Sequence, residues 1–504
     1  DRVMAWDRFR AQFLPTRAEQ PVNTSIRRLF ALKLLSDPEF SHSLQWFRHP
    51  AFPDSSTNLA GAVGRLLPML EELECLRTEQ PGTYQRLPKP FRDDIARIHV
   101  AYRSFLRDRG LYEPQFLHPA MDHHDHDPAL RYCIWFPEVC RGWREFSAMR
   151  PFPETIDTFS VDTSLVSARL DWFPNELMEL RSRLAMIDGL LADGTAPGDI
   201  MITVGDLARW RPFLEQEAQL YDIPLSIVQG KSPLQYAPGA FLEAIQDVYA
   251  HDFSLSSMKS FLLDPRFPFR DRKLQTRLIQ RGLEFPMIVG SFTGGEDRWF
   301  SALSRSSKES DRSLLSWYGK LKQQVSAVVR ATSTETLRKA LHACKEFFLG
   351  SECWPCSRDD DELHGQVWAY CLDQLQELQR NMELAGFNGM PRLFTLYLQL
   401  LESKEYIPQG RPPGIAVYQY TVSAGVCPDH HVFLGCNEDA TRQRSESLPL
   451  MPESVWADDR QVDSTTDFLD LHRLGGDHVH CSASQQAFSG TSTIAPGWFV
   501  NQGS

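Results

Sequence analysis

The sequence predicts an α/β protein, in which a parallel sheet is interrupted by a large helical insertion and preceded by a helical domain. Three observations indicate this fold class. Apolar strand patterns alternate with amphipathic helical patterns over residues 151–232. Residues 233–410 then show helical spacing of apolar side chains almost throughout, and strand patterns return over 411–504. We therefore expect one sheet domain that is divided by the helical insertion.

Length and composition restrict the classes of protein to consider. The chain has 504 residues, room for roughly three domains, and begins at Asp1, so we expect a fragment of a longer protein. No run of apolar residues is long enough for a membrane span and no signal peptide is visible, which favours a cytoplasmic protein. Ten scattered cysteines are ordinary for a reduced compartment. The net charge of −12 gives no overall attraction to nucleic acid, but it leaves room for a local basic channel.

The first 150 residues are predicted to be mostly helical. Apolar positions recur at helical spacing over 23–35, 58–76 and 88–109, and Asn23 to Ser25 are candidate caps for the first of these helices. Strand candidates follow at 132–136 and 155–161.

A parallel sheet is predicted on both sides of the helical insertion. Before it we expect a helix over 172–191, a strand over 200–204, a helix over 206–221 and a strand over 223–228. Within it we expect helices over 239–251, 254–263, 274–281, 314–330, 333–349, 366–384 and 390–401. After it we expect strands over 415–420, 432–435 and 477–484 and a helix near 468–474.

The loop between the strands 415–420 and 432–435 is a candidate site. It contains Thr421, Ser423, Gly425 and Asp429. We expect the two strands to be neighbours in the sheet, which places the loop at a sheet edge, where open α/β sheets tend to bind ligands. An ordinary buried strand pair explains the same pattern.

Several short motifs resemble those of superfamily 1 helicases of the UvrD/Rep kind. The strings similar to the second motor domain are Glu176-x-x-x-Leu180, Gly198-Asp199-Ile200-x-Ile202 and Val432-Phe433-Leu434-Gly435-x-Asn437-Glu438. Ala5-Trp6-Asp7-x-Phe9 is similar to the segment that leaves the first motor domain in the AddB branch. The chain therefore resembles the AddB/RecC group, the partner subunits of bacterial helicase–nucleases.

The resemblance implies a domain arrangement. Residues 1–150 correspond to a 1B-like helical domain with a remnant of the first motor domain. Residues 151–232 and 411–504 correspond to the two halves of a second RecA-like domain, and 233–410 to a 2B-like helical insertion.

Departures from the family pattern argue against ATP chemistry in this chain. No G-x-x-x-x-G-K-[ST] phosphate-binding string occurs. Ala424 and Cys427 stand where active relatives have lysine and glutamate around the position of Gly425, and residues 479–484 contain no arginine. We predict no catalytic residues, metal or cofactor here. ATP and Mg²⁺, the P-loop domain and a PD-(D/E)XK nuclease domain are then expected in the full-length parent or in a partner.

The resemblance implies a DNA-handling scaffold in double-strand break repair and recombination. Its expected partners are single-stranded or forked DNA and an AddA/RecB-like helicase–nuclease subunit, and the parent would be a helicase or exonuclease. Thr421 and Ser423 lie in the loop that touches the DNA backbone in active relatives. Their hydroxyls are therefore predicted to bond phosphate.

Basic residues beside aromatic residues are further candidates for nucleic-acid binding. The segment 266–281 contains six Lys/Arg and one acid, and we select Arg270, Arg272 and Lys273 from it. The second candidate is Arg209, Trp210 and Arg211. Aromatic rings in either segment can stack on single-stranded bases. The same rings are more commonly core residues of helices.

Two other functions remain open at this stage. A helical interaction scaffold without a DNA role fits the large helical content. A metal-dependent hydrolase would be centred on His123, His124 and His126, since imidazole and carboxylate ligands suit transition metals. A solvated loop is the favoured explanation of that string, because Pro119 and Pro128 flank it. The single Cys353-x-x-Cys356 pair has no second pair at zinc-site spacing.

Overall fold

The computed structural model describes all residues except 1–3, 5, 16, 48–55, 80, 119–130, 141–142, 150–153, 161–169, 228, 285–291, 294–295, 305–308, 355–362, 409–413, 442–464, 473, 475–477 and 496–504. Among the described residues, no helix is both long enough and apolar enough to cross a membrane.

The amino-terminal part of the chain is helical, as predicted. Its helices are α1 (Trp6–Arg10), α2 (Thr24–Ser36), α3 (Pro38–Ser43), α4 (Ser56–Leu66), α5 (Leu70–Glu79), α6 (Pro81–Arg86) and α7 (Lys89–Arg109). The predicted cap of α2 is confirmed, because Asn23 Oδ1 accepts a hydrogen bond from the Ile26 amide at 2.9 Å. The helix predicted over 58–76 is divided by a 3₁₀ turn at Leu67–Met69, since Pro68 cannot donate a helical hydrogen bond.

Short parallel strand pairs accompany these helices. Strands β1 (Gln20–Pro21) and β2 (Leu111–Tyr112) form one pair. Strands β3 (Tyr132–Trp135) and β4 (Ile156–Phe159) form the other, with helix α8 (Trp143–Ser147) between them in sequence. A small core lies against β3 and β4, and it contains Phe9, Phe13, Ile134, Phe146, Met149 and Ile156.

A six-stranded parallel sheet forms the α/β part of the molecule. Its strands are β5 (Leu170–Phe173), β6 (Ile200–Val204), β7 (Leu225–Ile227), β10 (Ile415–Gln419), β11 (His430–Leu434) and β12 (Val479–Ser484). They are arranged in the order β5-β12-β11-β6-β10-β7. Helices α9 (Glu176–Ala192) and α10 (Leu207–Leu220) connect β5 to β6 and β6 to β7. The predicted α/β class and parallel sheet are confirmed.

The expectation that β10 and β11 are neighbouring strands is wrong. Strand β6 lies between them, and Ile202 is the partner of both Val417 and Val432. β6 is buried along its whole length, so an apolar strand from the first half of the sheet occupies the central position between two strands of the second half.

The predicted helix 172–191 begins later than expected. Residues Leu170–Phe173 form β5 and pair with Cys481 to Ser484 of β12. Phe173 precedes Pro174, which favours extended backbone, and Asn175 then caps α9 by accepting a bond from the Met178 amide at 2.9 Å. Pairing with a distant strand therefore overrides the helical pattern at this end.

A block of helices separates β7 from β10. It contains α11 (Ala237–Ala250), α12 (Leu255–Leu262), α13 (Arg272–Glu284), α14 (Arg298–Ser304), α15 (Glu309–Val329), α16 (Thr334–Leu349), α17 (Leu363–Ala385) and α18 (Leu393–Glu402). A short antiparallel pair of strands, β8 (Phe292–Thr293) and β9 (Glu296–Asp297), precedes α14. Neither this pair nor α14 was predicted from the sequence. After the sheet resumes, the short helices are α19 (Tyr420–Ser423), α20 (Glu438–Thr441) and a last helix, Thr465–His472.

The amino-terminal helices and the helical block share one hydrophobic core. Buried side chains from Val22 to Leu111 and from Leu234 to Tyr406 belong to the same cluster. Polar contacts also join the two parts, since Asn23 Nδ2 donates to Asn381 Oδ1 at 3.0 Å and Arg28 bonds Gln399. Segments separated by the first half of the sheet in sequence are thus packed together in space.

Candidate nucleic-acid interface

The turn after β10 lies at the carboxyl edge of the sheet, but it is largely an internal structure. Thr421 is half-buried, whereas Ser423 is buried. The Ser423 hydroxyl lies 2.8 Å from Thr203 Oγ1 and donates to the Gln419 carbonyl at 3.3 Å. The predicted phosphate contact of Ser423 is therefore incompatible with this structure, because the hydroxyl is already bonded inside the protein.

Two buried histidines lie under this turn. His431 Nε2 lies 2.7 Å from Thr203 Oγ1, and His472 Nε2 lies 2.8 Å from the Tyr420 carbonyl. Burial, together with neighbouring His472 and His480, lowers the pKa of His431 to about 3. Burial also lowers the pKa of His472 to about 4, against the effect of its bond to Tyr420. Both rings are neutral at physiological pH. His431 joins β11 to β6, and His472 joins the last helix to Tyr420, just after β10.

Two glutamates near the start of α9 lie in the protein interior. Glu179 Oε1 accepts bonds from the Gly435 amide at 2.8 Å and the Ser482 hydroxyl at 2.7 Å. Burial raises the pKa of Glu179 to about 7, and the two hydrogen bonds oppose that rise. Glu176 accepts a bond from the Phe488 amide at 2.8 Å, and burial raises its pKa as well. Glutamates three residues apart share one helix face, so the spacing in sequence was the signal for this pair.

The segment Arg209 to Arg211 contributes to the fold rather than offering a free basic surface. Arg209 forms ion pairs with the buried Glu176 and, at 3.3 Å, with Asp439. Trp210 is fully buried, with its ring centroid 5.0 Å from that of Phe488. The prediction that Trp210 stacks on bases is therefore incompatible with its position.

Arg211 is also engaged within the protein. It forms an ion pair with Glu215 at 2.9 Å and donates to the Gln229 carbonyl at 3.3 Å. Neither arginine of this segment is left as an unpaired cation for phosphate.

The second basic segment has a different character. Arg270, Arg272 and Lys273 are exposed, and none has a carboxylate within 4.0 Å among the described residues. Phe267 and Phe269 of the same segment are buried, so the predicted stacking on these two rings is incompatible with the structure. The three cations remain candidates for phosphate contact.

An exposed aromatic pair, which sequence reasoning missed, lies on β3 and β4 next to Phe136, which contacts the turn at the carboxyl edge of the sheet. Trp135 and Phe159 are direct partners across β3 and β4 and are 59% and 49% exposed. Their ring centroids are 4.7 Å apart. The neighbouring Phe136 ring packs against Gly425, where an added Cβ would stand 2.7 Å from it. Both strands were predicted, but their register, which brings the two rings together, is not encoded locally.

The structure does not describe the histidines proposed as metal ligands. His123, His124 and His126 lie outside the described residues, as does Cys356. Within the described part of the chain, no group of three or more His, Cys, Asp or Glu side chains is arranged to hold a metal ion.

The fold and this edge define a protein with a parallel α/β sheet, a helical insertion and an aromatic surface beside the sheet. Residues 1–158 match the family domain described as Treponema TP0900 N-terminal P-loop domain. Residues 234–407, which include α11 to α18, match the Treponema TP0900 fourth helical domain. A protein of Treponema pallidum (strain Nichols) described as "Uncharacterized protein" is 22% identical over 542 residues, and the alignment covers 97% of this chain and 67% of that protein.

Proposed function

We propose that this chain is a DNA-handling scaffold, an AddB/RecC-like subunit or fragment of a bacterial helicase–nuclease in double-strand break repair and recombination. It acts beside an AddA/RecB-like motor subunit and holds single-stranded or forked DNA. The interruption of the parallel sheet by the helical block supports this proposal, because the resemblance in sequence implies the same order of parts.

The single observation that carries the proposal is the position of the Trp135 and Phe159 rings. The two rings are exposed side by side. Phe136, the residue after Trp135, packs against Gly425 in the turn after β10. Ligands of open α/β sheets bind at the carboxyl ends of the strands. Exposed aromatic rings in that position suit the stacking of unpaired bases, which does not depend on sequence.

Nucleotide turnover is assigned outside this chain. The match of residues 1–158 to a P-loop domain supports a relationship to nucleotide-binding proteins. The chain itself lacks the G-x-x-x-x-G-K-[ST] string whose amides and lysine hold phosphates. In our proposal ATP and Mg²⁺ therefore belong to the full-length parent or to the partner subunit.

The proposal is tested by fluorescence anisotropy with labelled single-stranded and forked oligonucleotides. We expect Trp135→Ala and Phe159→Ala each to weaken binding by about 5- to 150-fold, as base–aromatic stacking is worth about 1–3 kcal/mol per base. Both side chains are exposed, so their removal is expected to leave the fold intact. Phe300→Ala is a matched control, since Phe300 is a 53% exposed ring on α14. Unchanged affinity in both variants would overturn the proposal.

A further inference from the structure

A cleft of about 1140 Å³ lies between the amino-terminal helices and the turn that joins α17 to α18. Its walls come from α2, α7 and residues 387–396. The buried side chains of Phe30, Phe105 and Leu396 contribute apolar surface. Because the two helical parts share one core, the cleft is part of the fold and is preformed for a ligand.

Three cations line this cleft. Lys33, Arg109 and Arg392 are exposed, and none has a carboxylate within 4.0 Å in the described parts of the chain. Two acids also line it, but both have other partners. The Asp37 carboxylate caps α3 by accepting the Glu39 amide at 2.9 Å, and Asp108 accepts the Ser104 hydroxyl at 3.2 Å. Three cations against these two carboxylates leave the cleft lining with a net charge of +1, which favours an anion.

Two of the cations lie at or beside residues with a left-handed backbone conformation. Gly386 follows α17 with a φ of +78°, and the Arg109 guanidinium occupies the space where a Cβ would stand. Arg392 precedes α18 in the left-handed conformation, at a φ of 56°, which is uncommon for a residue with a side chain. The positive φ favours glycine at 386, and the absence of a Cβ there leaves room for the Arg109 guanidinium.

An aromatic ring lies next to the cations. Phe387 is half-buried in the cleft wall, and Lys33 Nζ is 5.9 Å from its ring centroid. A planar base that stacks on this ring takes the place of the Lys33 ammonium over it, and the ammonium and guanidinium groups then contact the phosphate. Arginine side chains suit phosphate because their donors form a rigid fork.

We propose that this cleft binds a nucleotide unit, with the phosphate held by Lys33, Arg109 and Arg392 and the base against Phe387. The same chemistry is offered by a free nucleotide and by the phosphorylated end of a nucleic-acid strand. The site is separate from the Trp135 and Phe159 surface and does not depend on the function proposed for that surface.

The test is isothermal titration calorimetry of the full chain with deoxyadenosine monophosphate, a short 5′-phosphorylated oligothymidylate and inorganic phosphate. We expect saturable binding of at least one of the two nucleotide probes, and weaker binding of inorganic phosphate. Tighter binding of the monophosphate identifies a free nucleotide as the ligand, and tighter binding of the oligonucleotide identifies a strand end. Either result supports the site. No saturable binding of either nucleotide probe, or equal binding of inorganic phosphate, overturns it.

Variants locate the binding in the cleft. We expect Lys33→Gln and Arg392→Gln each to weaken nucleotide binding by about tenfold, the scale of one charge-assisted hydrogen bond. Phe387→Ala is expected to remove the preference for nucleotide over inorganic phosphate. Arg338→Gln removes an exposed cation on α16 outside the cleft and is the matched control. Equal effects of Arg338→Gln and Arg392→Gln would overturn the assignment to this cleft.

A double variant, Trp135→Ala with Phe159→Ala, keeps the two proposals distinguishable. It is expected to leave binding of deoxyadenosine monophosphate unchanged even if it abolishes binding of long single strands. If it abolishes monophosphate binding as well, the bound nucleotide does not lie in the cleft.

Discussion

The Ser423 hydroxyl lies 2.8 Å from the hydroxyl of Thr203, which itself lies 2.7 Å from Nε2 of His431. This chain of hydrogen bonds joins the turn after β10 to the two strands beside it. Ser423 therefore stabilises the carboxyl edge of the sheet from within. Of the two hydroxyls predicted to bond phosphate, only that of Thr421 is partly accessible.

A Ser423→Ala substitution is expected to lower stability without weakening DNA binding. Loss of one buried hydrogen bond costs about 1 kcal/mol in the free energy of unfolding. Thr421→Ala is the matched comparison, and it should affect DNA affinity more than stability. Urea denaturation and DNA anisotropy on both variants provide the measurement. A Ser423→Ala protein with normal stability and weakened DNA binding would contradict the structure of this turn.

Stability is expected to depend on pH through Glu179. Its folded-state pKa of about 7 lies above the ordinary value of 4.5, so the folded protein holds the proton more tightly than the unfolded chain. The stability associated with this proton is complete below pH 4.5, is lost as the pH rises toward 7, and does not change further above it. The shift corresponds to a loss on the order of 3 kcal/mol.

Glu179→Gln tests this dependence, because glutamine has a similar shape and does not titrate. From pH 5 to pH 8 we expect the free energy of unfolding of the wild type to fall relative to that of the Glu179→Gln variant. Glu335→Gln, at an exposed position on α16, is the control. A pH-independent difference for Glu179→Gln would show that the carboxyl group is not held protonated in the folded state.

The ion pair of Arg209 with Glu176 is expected to be structural. Arg209→Met leaves the buried Glu176 carboxyl without its cation and should cost about 2 kcal/mol, less than for a fully buried pair because Arg209 is 27% exposed. Adding Glu176→Gln removes the unpaired charge and should restore part of that loss. Thermal unfolding of the two single variants and the double variant measures the coupling. Additive losses would indicate that the two side chains do not interact.

We expect Arg270, Arg272 and Lys273, the exposed cations just before and at the start of α13, to contribute salt-dependent contacts to DNA binding. Replacing Arg270, Arg272 and Lys273 together by glutamine should reduce the magnitude of the slope of log K against log salt by up to about 0.7 per residue. Lys320→Gln with Arg338→Gln removes exposed cations elsewhere in the helical block. An unchanged slope in the triple variant would exclude this segment from the DNA path.

Local patterns were sufficient to predict several elements. The strand Ile200–Val204 has the predicted bounds, because a short apolar run buried on both faces has a clear signature. The cap at Asn23 follows from the preference of that residue type for helix starts. The described helices of the insertion were predicted, apart from α14, because each carries its own apolar stripe.

Long-range pairing could not be predicted in the same way. Leu170–Phe173 forms a strand only because it pairs with β12. The position of β6 between β10 and β11 depends on the strand order of the whole sheet. The burial of Ser423 and Trp210 depends on residues distant in sequence, such as Thr203 beside Ser423 and Phe488 beside Trp210. The contact of Trp135 with Phe159 requires the register of two strands separated by a helix, so no local pattern contains it.

The most direct test of the central claim is the affinity of the purified chain for single-stranded and forked DNA as a function of salt concentration. The predicted result is an affinity whose logarithm falls linearly with the logarithm of salt concentration. Trp135→Ala and Phe159→Ala are each expected to weaken this binding, and Phe300→Ala to leave it unchanged. Absence of binding to either DNA at low salt, or binding that does not change with salt and with these variants, would contradict the account.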